Sequence, residues 1–140
     1  MQIVIRAAEP EDWLTWERLR YALWPGDDEA HGEEISRFFA GEKTDPEHVL
    51  LAEAANTAVG FAELSIRTDL PGLEGKRVGY IEGLYVAEQA RHQGVARTLL
   101  WAARQWAREQ GCETFASDRE DRIIVDRNFN IPGRAVFLQA

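Results

Sequence analysis

Three groups of residues in this sequence have the types and spacing to do chemistry. The first is Arg91-His92-Gln93-Gly94-Val95-Ala96, which opens an otherwise helical stretch with a glycine. Inside a helix that glycine would cost about 1 kcal/mol relative to alanine. A strand end, a loop of small residues and a helix start together make an anion site. First-turn amides have no partner within the helix, and the macrodipole adds roughly half a positive charge. Gly94 and Ala96 would let phosphate oxygens reach those amides, although an ordinary loop–helix junction reads the same way. The second is Glu82, set among Tyr80, Ile81, Leu84 and Val86 in a strand candidate. A carboxylate there is costly to bury without a partner, so it faces a ligand, faces water or belongs to an ion pair. Facing a ligand, it can attract an ammonium group and accept its proton. The third is Asp118, just beyond the strand candidate "ETFAS", where Ser117-Asp118-Arg119-Glu120 also reads as a capping box.

The elements that must position these groups follow from periodicity and punctuation. "QIVIRAA" (Gln2 to Ala8) reads as a strand, and "PEDWLTWERLRYALW" as a helix with Trp13, Trp16, Leu19 and Leu23 at helical spacing. "PGDDEAHG" reads as a turn or loop, and "EEISRFFAGE" as a short helix ending at Gly41. "HVLLAEA" and "VGFAELSIRTD" predict a hairpin around Asn56-Thr57. "RVGYIEGLYVAE" is apolar on both parities, as a central strand should be. A helix from Gly94 to about Gln110, capped by Gly111, precedes the strand "ETFAS". Beyond Asp118 the sequence suggests a short helix "REDRIIVDR", a turn at Pro132-Gly133 and a last strand "RAVFLQA". The order predicts an α/β protein with a mixed, largely antiparallel sheet flanked by helices.

Composition bounds the rest. The 140 residues suffice for one domain with a real core, and 45% of them are apolar. No apolar run is long enough to cross a bilayer, and the N-terminal residues lack the features of a signal peptide. The net charge of −8 argues against nucleic acid or an anionic membrane as partner and suits a cationic small molecule. Cys112, the one cysteine, fits a reducing cytosol, and its place after Gly111 suggests burial rather than nucleophilic duty. His31, His48 and His92 lack metal-ligand spacing, so no metal is expected.

As a whole, "EGLYVAEQARHQGVARTLLWAARQWAREQGC" resembles the coenzyme-binding core of the GNAT superfamily of N-acetyltransferases. "LRYALWPGDDEAHGEEI", "GFAELSIRTD", "YIEGLYV" and "GCETFASD" look like one branch of it, the aminoglycoside 6′-N-acetyltransferases, in register from near residue 10 to Asp118. The resemblance implies one acetyltransferase domain over residues 1–140, with acetyl-coenzyme A as co-substrate. It implies a pyrophosphate cradle at Gln93, Gly94, Val95, Ala96 and Arg97, and pantetheine contacts from the backbone of Leu84, Tyr85 and Val86. Glu82 and Asp118 would place and deprotonate the 6′-amine of the antibiotic, Trp24 would wall a sugar ring, and Asp27, in an acidic rim with Asp28, Glu29 and Glu33, would hold a further ammonium. Arg67 and Asp69 would shape the sheet edge and its loop. Alternatives are a polyamine or peptide amine as acceptor, or a binding relic without turnover.

After Asp118 the family has a longer helix, a coenzyme-contacting Asn and a Leu-Gly-Phe turn. "REDRIIVDRNFNIPGRAVFLQA" shows none of them. The expectation is a shortened C-terminal part, no tyrosine in the usual place for a general acid, and a homodimer that covers the sheet by exchanging C-terminal strands.

Overall fold

The computed structural model describes residues 2–26, 28–43, 45–119, 122–126 and 129, with only the backbone considered at Asp28 and Arg119. The six strands are β1 (Ile3–Ala7), β2 (His48–Ala54), β3 (Thr57–Arg67), β4 (Val78–Val86), β5 (Thr114–Arg119) and β6 (Arg122–Val125), and they lie in one sheet in chain order. Every neighbouring pair is antiparallel except β4 with β5, which is parallel because α3 (Val95–Glu109) crosses between them. A 3-10 turn over Pro10–Asp12 leads into α1 (Trp13–Leu23), and α2 is Asp28–Phe39.

The two faces of the sheet are covered by different helices. Under α3 lie Leu50, Ala62, Leu64 and Ile81, met by Val95, Leu99, Leu100, Ala103 and Ala107 at helical spacing. Under α1 and α2 lie Val49, Leu51 and Phe61, met by Trp16, Leu19 and Ile35. Trp16 is buried and packs edge-on against Phe38 and Phe39, with centroids 5.2 and 5.6 Å away. Trp13 is half-buried beside the same cluster. The β2–β3 hairpin turns on Ala55 and Asn56, both at positive φ (52° and 64°), as a two-residue turn between twisted strands requires.

β4 carries a bulge. Glu63 pairs with Gly83 and Leu64 with Ile81, so Glu82 is the extra residue with no partner of its own on β3. A bulge turns two successive side-chain positions to one side of the sheet. Here Glu82 and Gly83 share the α1 face: Glu82 lines a pocket with Trp24, and a Cβ added at Gly83 would lie 2.5 Å from Trp24 Cη2. Glycine at position 83 is what lets the indole lie against the strand.

Three expectations are corrected. The first turn of α2, read as part of a loop, is helical from Asp28; its Gly32 faces the Trp13 ring, where an added Cβ would sit 3.4 Å away. The helix expected in "REDRIIVDR" is the strand β6: the β-branched run Ile123-Ile124-Val125 pairs with β5. Ser117 and Asp118 are extended residues of β5, so the capping box does not form. Glu120, the turn at Pro132-Gly133 and the expected final strand lie outside the described residues.

Candidate active site

β4 and β5 are paired only from Val78 to Ile81 against Thr114 to Ser117, and then they part. Beyond the fork β4 continues to Val86 on β3 alone. Ala87 N donates to Val59 O (2.7 Å), so alternation directs the polar groups of Tyr85 toward β3 and those of Leu84 and Val86 toward the gap. A cleft of about 850 Å³ follows this gap to the start of α3, lined by Leu84, Tyr85, Val86, Gly94, Val95, Ala96 and Arg97 among others.

At the head of the cleft, Gly94 is the N-cap of α3 with φ +85°, and no side chain caps the helix. A Cβ added at Gly94 would meet nothing within 4 Å, so the glycine serves the left-handed backbone and the open approach, not internal crowding. The first helical amide bond is Thr98 N to Gly94 O (3.0 Å), and the amides of Val95 and Ala96 precede it. The first turn holds no acid, which would otherwise meet the helix's positive end. These features fit a diphosphate. Of the expected cradle, Gly94, Val95, Ala96 and Arg97 line the cleft, and the Gln93 side chain turns back to Gln89 O (3.3 Å). Four residues outside the expected set also line the cleft: Leu23, Ala90, Arg91 and His92. Arg91 donates from Nε to Val86 O (3.0 Å) and lies over the Tyr85 ring, and His92 adopts φ +65°.

The second hollow opens on the α1 face, about 360 Å³, lined by Arg20, Trp24, His31, Glu34, Asp45, Glu63 and Glu82. Glu82 and Asp118 are each one residue past the last β4–β5 pair, Ile81 with Ser117, so the fork brings both carboxylates to neighbouring positions. Arg67 links them. Its Nε and Nη2 donate to Glu82 Oε2 (2.8 Å) and Oε1 (2.6 Å), and its guanidinium lies 4.3 Å over the Tyr80 ring. The Tyr80 hydroxyl donates to Asp118 Oδ1. The hydrogen bonds to Glu82 hold Arg67 more firmly protonated than usual, against the cost of partial burial. Arg67 does not shape a sheet edge: β3 is an inner strand. Trp24 is half-exposed on this hollow, whereas Asp27 lies outside the described residues.

A buried polar network sets the wall of the hollow. Glu63, 1% exposed, accepts from Trp16 Nε1 (2.9 Å) and Arg20 Nε (2.7 Å). Arg20 also pairs with Glu34 (2.5 Å) and donates to His31 Nδ1 (3.2 Å). Arginine only donates, so Nδ1 accepts and the His31 proton sits on Nε2, which donates to Trp24 O (2.8 Å). The carbonyl of the Trp24 corner is thus tied to α1, α2 and β3. The sequence pattern left Arg20 and Glu63 unmarked and gave Arg67 and His31 no part in this hollow; a charged residue at an inward strand position, as at Glu63, was the available signal.

Cys112 is buried, and burial pushes its thiol up, away from the thiolate a nucleophile needs. Among the described residues no group of three His, Cys, Asp or Glu is placed to hold a metal, and no helix is long and apolar enough to cross a membrane.

Residues 11–125 match the model of the acetyltransferase (GNAT) family. The chain is 42% identical over 119 residues to an aminoglycoside N(6')-acetyltransferase type 1 of Klebsiella aerogenes, covering 84% of this chain and 78% of that one. It is 42% identical over 116 residues to the protein of that name from Stenotrophomonas maltophilia (81% and 73% covered). Among solved structures, AAC(6')-Iy in complex with the bisubstrate analogue CoA-S-monomethyl-acetylneamine superposes with a TM-score of 0.77 at 32% identity, over 86% of this chain and 81% of that chain.

Proposed function

Because this chain belongs to the GNAT acetyltransferase family, on the branch of the aminoglycoside 6′-N-acetyltransferases, we propose that it acetylates the 6′-amine of aminoglycosides with acetyl-coenzyme A as co-substrate. The observation that carries this reading is the fork itself. An uncapped helix start and a strand with outward-turned amides lie on one side, and a carboxylate-lined hollow on the other.

Val95 and Ala96, with Gly94 and Arg97, would hold the diphosphate, and Leu84 and Val86 would bond the pantetheine arm. The coenzyme, when bound, supplies the acetyl group as an activated thioester. The chain's own residues attend to the amine. An alkylammonium with a pKa near ~10.4 is protonated at pH 7 and cannot attack, so its proton must go to an acceptor at a cost of about 4–5 kcal/mol. Glu82 takes that proton, directly or through a water, Asp118 holds the ammonium close to it, and the Trp24 indole walls the ring that carries it. Both acids sit one step past the Ile81–Ser117 pair; Glu82 lines the smaller hollow and Asp118 is bonded to Tyr80.

The test is thiol release on mixing the protein and acetyl-coenzyme A with kanamycin or tobramycin, repeated with Glu82→Gln. Release with the native chain and a fall in kcat/KM of roughly 10²–10³-fold in the variant are expected. No release above background with any aminoglycoside at millimolar concentration would sink the reading.

We further place the protein in the cytosol and as a homodimer. Supports are the free, buried Cys112 and, among the described residues, the outer strand β6 with half-exposed Ile123 and Val125. Sedimentation at micromolar concentration tests the second point.

A further inference from the structure

We propose that Arg67 is a positioning residue of the reaction: it clamps the Glu82 carboxylate at both oxygens and offsets its charge, trading ammonium affinity for a fixed proton acceptor. The inference rests on Glu82 accepting the proton of the amine. The geometry is specific. A two-point bond from one guanidinium to both carboxylate oxygens (2.8 and 2.6 Å) fixes the carboxylate plane and leaves one lone pair on each oxygen for the amine. The guanidinium is itself held from below by the Tyr80 ring at 4.3 Å. Tyr80 is fixed in turn by its hydroxyl bond to Asp118, so one rigid run of side chains joins the two acids that would receive the substrate.

The fold does not account for this arrangement. β3 and β4 pair through their backbones as far as Arg67 with Val78. An ion pair this exposed, with side chains 37% and 17% accessible, adds little stability. Its effect falls instead on the hollow. A clamped carboxylate beside a resident cation attracts an incoming ammonium less than a bare one would. It also presents its oxygen in one orientation, and misplacement by about 1 Å can cost on the order of 10²-fold in rate.

The experiment is steady-state kinetics of R67M, R67K, E82Q and the R67M/E82Q double variant, with kanamycin as the varied substrate and melting temperatures as the folding check. In R67M, kcat should fall at least about 10-fold while KM for kanamycin stays level or drops, because Glu82 then binds the cation with undivided charge. R67K, which keeps the charge but loses the planar two-point fork, should fall between R67M and the native chain. In the E82Q background, R67M should cost no more than about 2-fold further, since a residue acting through Glu82 has nothing left to position. A KM increase with kcat unchanged, or the same fold-loss with and without Glu82, would overturn the proposal. Undiminished kcat in E82Q would instead remove the proton-acceptor reading on which it rests, and the proposal with it. Should R67M fail to fold, R67K alone and combined with E82Q decides by the same comparison.

Discussion

Gly94 shows what one residue contributes. Its φ of +85° is one a side-chain-bearing residue adopts only at a cost of roughly 1–2 kcal/mol, and the space beside it is open. Gly94→Val should therefore act on the coenzyme: KM for acetyl-coenzyme A should rise about 10-fold or more while KM for the aminoglycoside changes little. Titration calorimetry with coenzyme A checks this directly, and unchanged affinity would contradict the cradle. That glycine was legible in the sequence because a helix start with small residues is a local pattern. The Arg67–Glu82 pair was not. The two residues lie on neighbouring strands, and their meeting depends on a bulge that no local pattern announces. Sequence reading could list an ion pair among the possible states of Glu82 but could not name the partner.

At the scale of elements, strong periodicity read correctly and weak periodicity did not. The stripe of α3, the β2–β3 hairpin and the apolar β4 all carried unambiguous patterns. α2 begins earlier than expected because Gly32, which reads as loop, serves there as a contact for Trp13. β6 was read as helix because its polar flanks masked a three-residue β-branched core. The contact of β2 with α3 yields a pH prediction. His48 stacks on Trp106 with centroids 5.3 Å apart and planes 3° from parallel, and desolvation lowers its pKa, with Glu109 opposing that weakly. A lowered folded pKa means that the unfolded chain binds the proton more readily. Stability should therefore be intact above the ordinary histidine range near ~6.5 and fall as pH drops through it toward the lower folded value. Melting temperatures at pH 7.5 and 5.5 should differ more for the native chain than for His48→Phe. Equal differences would mean His48 does not contribute.

At the scale of the whole molecule, charges bind the layers. Glu63 joins β3 to α1 through Trp16 and Arg20, and Arg20 carries the tie to α2 through Glu34 and His31. Glu63→Ala would strand Arg20, 5% exposed, without its principal counter-ion, at a cost of about 3–5 kcal/mol. Urea unfolding should show that loss, and a loss below about 1 kcal/mol would show the network to be dispensable. On the other face, Arg104 of α3 and Asp126 form an ion pair at 2.7 Å, both almost wholly buried, and Arg108 donates to Phe129 O (2.9 Å). These contacts hold Asp126 and Phe129 against α3. The overall architecture was legible because alternation and helical spacing are set by burial, which the sequence records residue by residue. The polar ties were less so, because each is a single charge whose partner is distant in the chain.

The one-residue bulge at Glu82 has a last consequence. Side chains on a strand alternate, so removing the extra residue would exchange the two faces of everything downstream. Leu84 and Val86 would swing out from beneath α3, and Tyr85 would swing in. The insertion is therefore locked by the packing of its greasy neighbours on both faces of the strand. Evolution could rewrite the acid itself with one codon, yet could not move it along the strand without turning the middle of the protein inside out.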